Sequence, residues 1–363
     1  MSVTIDVAGL RPSQYRFGPS QLAELASALH ALVEPDHHPA QKDWIQSMRG
    51  LIDPALLAGI RTADYLWRTS RADMLLPANP SPDLADELDI LDALDDETWV
   101  RSALITTSCG HLPAHAEVGS PLTDMRARDI VRDRAAARGD HQVKFVDAVI
   151  ADPGWARTHV RGLLESAADT FFAAIWRQLV GILTTEAQRR NDLLQRHGLA
   201  ATIKSLSPSV VLDQGTQTIV IDKLQDRYTS AQHDGITFVP SFFGNPHVLV
   251  VHTPGWRPVL QYPVHLAAAP EDITALETAQ RRMHALDHPM RLRMARSLAR
   301  GPHTTGELAS IWNISAPEVS RYLLQLKRAG LLTATRHGRY VHYTLDHAAT
   351  ARLGADIIAA LLR

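Results

Sequence analysis

Four side chains near the start of one short helical segment have the types that can read a DNA sequence. Ser315 and Ala316 precede Ser320 and Arg321 in the same segment. An arginine can donate two hydrogen bonds to the edge of a guanine, and a serine hydroxyl can bond to a phosphate or a base. The N-terminal residues of a helix that enters the major groove are the ones that meet base edges. This grouping therefore predicts a contact with DNA.

Two capping signals define the helices that would hold these side chains. Thr304 stands three residues before Glu307, and Ser315 stands three residues before Glu318. In this spacing the hydroxyl and the carboxylate satisfy free amide groups at a helix start. Glu318 could also accept a hydrogen bond from cytosine, but we interpret it as the cap. Pro317 falls in the first turn of the helix that follows, a position that suits proline.

Apolar residues recur at helical spacing in three consecutive segments, and we expect each set to be buried. Gly301-Pro302 ends the first helix, Asn313 ends the second and Gly330 ends the third. Two capped helices around a short turn predict a helix-turn-helix. The residues expected in its core are Leu292, Ala295 and Leu298 in the first helix, Leu308 and Ile311 in the second, and Val319, Leu323 and Leu326 in the third.

A basic hairpin follows the third helix. Residues 331–335 and 340–345 read as strands, and they flank the turn Arg336-His337-Gly338-Arg339. The two arginines can reach phosphates or the minor groove. A solvated hairpin without a DNA contact is the alternative interpretation.

The residues that we predict to contact DNA lie at the two helix starts and in this hairpin. The distribution of charge along the chain agrees with this assignment. The whole chain has 37 Lys+Arg against 39 Asp+Glu, whereas residues 281–346 have 11 against 4. A basic segment on an otherwise acidic chain is expected when one end meets nucleic acid. The complete predicted set is Thr304, Thr305, Ser315, Ala316, Pro317, Ser320, Arg321, Arg336 and Arg339.

Residues 286–345 resemble the ArsR/SmtB family of dimeric winged-helix repressors. The phrases LDHPMRLRMARSL, TTGELA, ISAPEVSRYLLQLKRAGLL and GRYVHYTLD carry the resemblance. It implies a homodimer that binds an imperfect inverted repeat in double-stranded DNA near a promoter and usually represses. The metal-sensing members have cysteines in the second helix or a His/Asp cluster in the last helix. Here residues 304–309 contain no cysteine and the final helix offers only Asp356, so we expect neither metal site and no cofactor.

The length and the cysteine content limit the possible domain organisation and cellular compartment of the chain. A chain of 363 residues is long enough for two to three domains. Cys109 is the only cysteine, which excludes internal disulfides and fits a reducing cytoplasm. No apolar run approaches the ~20 residues of a membrane helix, and no leader peptide is recognisable. We therefore expect a cytoplasmic protein.

We predict an α+β fold with a large N-terminal domain and a C-terminal winged helix-turn-helix. The N-terminal sensory or assembly domain spans residues 1–268, helical over 1–207 with a small antiparallel β-sheet over 208–265. A linker helix over 269–285 leads into the winged helix at 286–346. The last segment, 347–363, is a helix whose apolar stripe can serve in dimerisation.

Within the N-terminal domain the pattern predicts mainly helices, then short strands. The phrases FGPSQLAELASALHALVEPDHHP and GITFVPSFFGNPHVLVVH resemble an uncharacterised domain found before ArsR-type winged helices in bacterial regulators. A first strand over 3–7 can join the later sheet. The predicted helices start at Pro19 and then cover 41–49, 54–70, 83–94, 96–108, 121–138 and 155–197; the predicted strands cover 210–212, 218–221, 236–239, 248–252 and 258–262.

Some clusters in this domain could bind a ligand, but each has a simpler interpretation. Cys109, His111 and His115 could hold zinc or copper, yet three ligands so close in sequence, with Pro113 among them, fit a loop site poorly. His37-His38 reads as part of a loop before a proline. Phe171, Phe172, Trp155 and Trp176 could line a drug-sized pocket, although their helical spacing favours ordinary core.

The favoured function is a homodimeric DNA-binding transcriptional regulator, a repressor whose N-terminal domain senses a small-molecule effector. One alternative is a regulator whose N-terminal domain binds a protein partner. An alternative of another class is an enzyme with an appended DNA-binding domain. No nucleophile, phosphate-binding or metalloprotease motif occurs at a strand–helix junction, so we predict that the protein is not an enzyme.

Overall fold

The chain folds into two compact units, Met1–Leu266 and Ala267–Arg363. The computed structural model describes residues 2–38, 41–68, 71–104, 119–137, 139–223, 226–253, 255–264, 275–337, 340–347, 349–350, 353–354 and 357. Among the helices that it describes, none combines the length and apolar character that crossing a membrane requires.

The first unit is built around a central helix that is buried on nearly every side. Ser20 caps this helix, α1, by accepting a hydrogen bond from the Ala23 amide, and eleven of its thirteen residues are buried. The helices Lys42–Leu51, Pro54–Thr62 and Leu84–Asp92 pack against it. The helices of this unit are α1 (Gln21–Val33), α2 (Lys42–Leu51), α3 (Pro54–Thr62), α4 (Leu84–Asp92), α5 (Asp96–Leu104), α6 (Met125–Ala136), α7 (Asp140–Ala151), α8 (Pro153–Ala167) and α9 (Ala173–Lys204).

The long helix predicted over 155–197 is two helices joined by one π-helical turn, Ala168–Phe172. The first, α8, starts earlier than predicted because Asp152 accepts a hydrogen bond from the Trp155 amide. The π turn adds a residue and shifts which positions face the core. Leu183 is therefore buried, whereas Ile182 is 42% exposed. Helix α7 was not predicted, and α3 ends well short of residue 70.

The strands that the structure describes in the first unit form two four-stranded sheets. The first has the order β3 (Val210–Asp213), β4 (Thr218–Asp222), β1 (Ser2–Asp6) and β5 (Arg227–Ser230). The second has the order β2 (Tyr15–Phe17), β6 (Ile236–Ser241), β8 (Val259–Pro263) and β7 (Leu249–Val251).

Both sheets are mixed. The parallel pairs are β1 with β5, β2 with β6, and β6 with β8, and the other pairs are antiparallel. The α+β class is confirmed. The single antiparallel sheet of the prediction is replaced by two mixed sheets because β1 and β2, from the start of the chain, pair with strands far along it.

The described part of the second unit has its own core, formed by four helices and a three-stranded sheet. Strand β11 lies between β10 and β9. The buried core includes Met294, Leu298, Leu308, Val319, Leu323 and Leu326. Its elements are α10 (Ala275–Leu286), α11 (Pro289–Leu298), β9 (His303–Thr304), α12 (Thr305–Trp312), α13 (Ala316–Arg328), β10 (Leu332–His337) and β11 (Tyr340–Leu345).

Two residues predicted in this core are exposed instead. Leu292 is 56% exposed because α11 turns Arg291, its neighbour, toward the interior. Ile311 is 52% exposed because α12 is short and reaches the core mainly through Leu308. Of the predicted C-terminal helix, residues 347, 349–350, 353–354 and 357 have helical backbone, and Asp356 and the end of the chain lie outside the described residues.

Candidate nucleic-acid interface

The start of α12 is closed by the predicted capping box. The Glu307 carboxylate accepts hydrogen bonds from the Thr304 amide at 2.7 Å and from its hydroxyl at 2.9 Å. The Thr304 hydroxyl accepts in return from the Glu307 amide at 3.3 Å. These bonds, the backbone one first, lower the pKa of Glu307 from its usual value. Thr304 and Thr305 are half-buried, so part of each side chain remains open to solvent.

Helix α13 starts with a second capping box of the same kind. The Ser315 hydroxyl donates to the Glu318 carboxylate at 2.7 Å and accepts from the Glu318 amide at 3.4 Å. The hydrogen bond from that hydroxyl is the main cause of the lowered pKa of Glu318. Since a hydroxyl has one hydrogen to donate, Ser315 cannot donate to a phosphate while this box is closed. Glu318 acts as the cap, as predicted.

The turn between the two helices depends on a left-handed residue. Asn313 has φ 50° and ψ 49°, a conformation that asparagine tolerates better than most residues. The amides of Asn313 and Ile314 both donate to the carbonyl of Ala309. This geometry ends α12 and redirects the chain into α13.

One face of α13 is buried and the opposite face is open at its N-terminal end. Val319, Leu323 and Leu326 are buried, as predicted. The open side carries small residues at its tip and a cation one turn further, all of them exposed: Ser315, Ala316, Pro317, Ser320 and Arg321. The Arg321 guanidinium has no hydrogen-bond partner in the described part of the chain. Its positive charge is close enough to Glu318 to help lower the pKa of that carboxyl group. The helix therefore presents a sterically open tip and an available bidentate donor.

A buried arginine fixes α13 relative to the preceding helices. Arg291 on α11 is only 6% exposed. Its guanidinium donates to the carbonyls of Ala285 at 2.6 Å and His284 at 2.8 Å, at the end of α10. It also donates to the side-chain oxygen of Gln325 on α13 at 2.5 Å. Sequence analysis missed this residue because a buried arginine gives the same pattern as a surface one.

The hairpin differs from its prediction in one respect. The pairing of β10 with β11 continues to His337 opposite Tyr340, so Arg336 lies within β10 opposite Val341 and not in the turn. Arg336 is exposed. Arg339 lies outside the described residues.

Elsewhere the structure separates the predicted aromatic cluster. Phe171, Phe172 and Trp176 are buried in the core of the first unit, which confirms the simpler interpretation. Trp155 is 50% exposed and stacks on His159 with ring centroids 4.9 Å apart. Residues 109, 111 and 115, the cysteine–histidine candidate, lie outside the described residues.

Two family models match the chain. A family of unknown function, DUF5937, matches residues 1–268, and the model described as bacterial regulatory protein, arsR family, matches residues 288–334.

Two curated relatives are similar to the C-terminal part. The biofilm growth-associated repressor of Agrobacterium fabrum is 35% identical over 71 residues, which are 20% of this chain and 61% of that protein. The chain thus spans about three fifths of that repressor. The transcriptional repressor SdpR of Bacillus subtilis is 34% identical over 62 residues, 17% of this chain and 69% of SdpR.

Solved structures similar to this chain cover the same end. Reduced HlyU from Vibrio cholerae is 26% identical, covering 22% of this chain and 85% of HlyU, with a TM-score of 0.20. The homodimeric winged helix-turn-helix DNA-binding domain Mb0332 from Mycobacterium bovis is 27% identical, covering 26% of this chain and 90% of that domain, with a TM-score of 0.22. These TM-scores are too low to establish a fold.

Proposed function

The chain belongs to the DUF5937 family and carries an ArsR-family domain at its C-terminal end, and we propose that it is a DNA-binding transcriptional repressor. It binds an inverted-repeat operator as a homodimer, and its N-terminal unit senses a small-molecule effector. The observation that carries the DNA-binding part is the open tip of α13, where Arg321 is exposed together with Ala316, Pro317 and Ser320, while Val319, Leu323 and Leu326 are buried. The curated relatives that match this part are repressors by name.

Charge and capping support a role for α13 as the helix that reads DNA. The partial positive charge at the N-terminal end of a helix favours phosphate groups. Arg336 on β10 adds an exposed cation on the neighbouring hairpin. These groups can hold the backbone of DNA while Arg321 meets a guanine in the major groove.

Exposed apolar side chains support the homodimer. Met283 on α10 is 41% exposed and Leu292 on α11 is 56% exposed. A second copy can cover such surface. Two recognition helices in one dimer would then meet half-sites about 34 Å apart, one turn of DNA.

For the N-terminal unit we propose sensing and no catalysis. A ligand releases DNA only if it binds the DNA-free conformation more tightly than the bound one. The two alternatives, a protein-binding unit and an enzyme, predict different outcomes in native mass spectrometry of the purified full-length chain. A co-purified small molecule supports sensing, and a stoichiometric protein partner supports the first alternative. Turnover of a co-purified molecule would support the second.

The experiment that tests DNA binding is footprinting of the full-length protein on the DNA beside its own gene, followed by titration of the protected site. Arg321→Ala should weaken binding to that site by about 1–3 kcal/mol, which is roughly 5- to 150-fold, and relax the preference at one base pair. Arg328→Ala is the matched control, since Arg328 is exposed in the last turn of the same helix.

The control should affect specific and random DNA alike and by less. If Arg321→Ala and Arg328→Ala weaken both kinds of DNA equally, Arg321 does not read a base. If the wild-type protein protects no site and binds random DNA no better than an acidic protein of its size, the proposed function is wrong.

A further inference from the structure

Three histidines from separate segments meet inside the first unit. His30 lies in the last turn of α1, His37 in the short 3-10 turn that follows it, and His247 between β6 and β7. One ring nitrogen of each lies within 4.8 Å of the other two. His30 and His247 are buried and His37 is half-buried. The cluster is therefore interior but accessible from the side of His37.

A fourth histidine borders the cluster in a defined tautomer. The His38 ring lies 4.8 Å from that of His30 and 5.3 Å from that of His247, measured between centroids. Its Nδ1 lies 3.0 Å from the carbonyl oxygen of Asn245. Because a carbonyl only accepts, Nδ1 carries the hydrogen and Nε2 carries the lone pair. A histidine that donates its second ring N–H to a carbonyl is the common arrangement around bound metals.

The cluster contains ring nitrogens without partners in the described part of the chain. His30 is 2% exposed, and neither of its ring nitrogens has a hydrogen-bond partner there. The same holds for Nε2 of His38 and for Nδ1 of His37. Buried polar atoms are rarely left in this state, because they lose their hydration without compensation. A cation that accepts several of these lone pairs removes the discrepancy.

The charge state of these rings suits a metal ion. Burial, the largest cause, lowers the pKa of His38 to about 3 and holds the pKa of His30 well below its usual value. Neutral imidazole is the form that binds metals. The buried Arg71 opposes a cation, since its charge also lowers both of these pKa values. Glu24 is fully buried and interacts electrostatically with Arg71, so its carboxyl group offsets the positive charge of the arginine.

We propose that His30, His37 and His247 bind one divalent transition-metal ion of the zinc type, with His38 beside the fourth coordination position. Zinc accepts three imidazoles and a water in tetrahedral geometry with Zn–N distances of about 2.0–2.1 Å, which places the nitrogens about 3.4 Å apart. The separations of up to 4.8 Å must therefore close by about 1.4 Å. The His37 ring is half-buried on a short turn and can contribute to this movement.

This site does not depend on the proposed DNA-binding function, and the sequence carries no signal for it. His37-His38 was interpreted as part of a loop, and the expected absence of a metal rested on the second and last helices of the winged helix. His247 stands more than two hundred residues from His30. Only the packing of α1 against the segment after β6 brings them together.

The test uses the full-length protein, stripped with a chelator and dialysed against Zn²⁺ or Co²⁺. Metal content is measured by mass spectrometry, and affinity by competition with a chromogenic chelator. His37→Gln and His247→Gln remove single ligands, and His38→Gln removes the bordering ring. His233→Gln is the matched control because His233 is exposed. Cys109→Ser separates this site from one built on the cysteine.

We expect one Zn²⁺ per chain in the wild type, in His233→Gln and in Cys109→Ser. Loss of a contact that only supports a metal ligand lowers metal affinity by roughly 10- to 100-fold, and we expect this for His38→Gln. Metal affinity should fall by more than about 100-fold in His37→Gln and His247→Gln, because these variants lose a ligand. Circular dichroism in the presence of chelator shows whether each variant is folded.

Three results would overturn the proposal. The first is a wild-type protein that takes up no stoichiometric Zn²⁺ or Co²⁺, and the second is a folded His37→Gln variant that binds as tightly as the wild type. The third is a cobalt spectrum that shows a sulfur ligand. Wild-type protein loaded with Co²⁺ should show the visible bands of a tetrahedral site with nitrogen ligands, and a sulfur-to-cobalt charge-transfer band would place the metal on Cys109.

Discussion

The buried Arg291 should hold α13 in place, and Arg291→Met tests this directly. Methionine keeps much of the apolar stem but removes the three hydrogen bonds to Ala285, His284 and Gln325. Gln325 is exposed, so water can replace its bond at little cost. The two carbonyls at the end of α10 are the main loss. An unsatisfied buried acceptor costs about 1–3 kcal/mol. Because the His284 carbonyl is only partly buried, we expect a total of about 2–4 kcal/mol.

Amide hydrogen exchange of the full-length chain measures this effect locally. Protection of amides in α11 and α13 that exchange through opening of the second unit should fall about 30- to 1,000-fold, since each 1.4 kcal/mol is a factor of ten. Arg296→Met is the matched control, because Arg296 is on the same helix and exposed. Gln325→Ala should change stability by less than about 0.5 kcal/mol, as surface substitutions do.

Arg291→Lys refines the same test. A lysine ammonium can reach one carbonyl but cannot present the planar fork that joins three acceptors. We expect an intermediate loss of protection. If Arg291→Met is as well protected as Arg296→Met, the reasoning about the buried guanidinium is wrong. Operator binding should weaken in parallel with protection, because α13 then loses its fixed orientation.

Other perturbations have equally definite outcomes. Hydrogen bonds lower the pKa of Glu318 from 4.5, so the stability they give is present above that value and is lost as the pH falls through the lower folded-state pKa; the protection of amides at the start of α13, taken relative to their intrinsic exchange rates at each pH, should fall on acidification in the wild type and not in Glu318→Gln. Arg336→Ala should reduce the salt slope of DNA binding by about one unit on operator and random DNA alike, as anisotropy titrations would measure; a loss on the operator alone would contradict a phosphate contact. Cutting the chain after Asp346 should lower both dimer content in sedimentation and operator affinity; a truncated chain that remains dimeric would place the interface elsewhere.

Much of the second unit could be predicted because its determinants are local. A capping box needs two residues three positions apart, as in Ser315 and Glu318, and both predicted boxes formed. Asn313 could be placed at a helix end because its left-handed backbone is a local preference. The buried stripe of α13 follows from helical periodicity alone. These features depend on torsion angles and neighbours within one or two turns, which the residue order specifies directly.

Other features depended on contacts between distant segments, which no local pattern encodes. Arg291 is buried and Leu292 exposed because the guanidinium finds acceptors on α10 and α13. Ser2 pairs with Asp222, which lies 220 residues further along the chain. His30 and His247 meet only after α1 and β6 have packed. The sequence by itself determined the helix-turn-helix and its two capping boxes. The tertiary structure alone decided which polar side chains are buried together, because burial is a property of the whole packed unit.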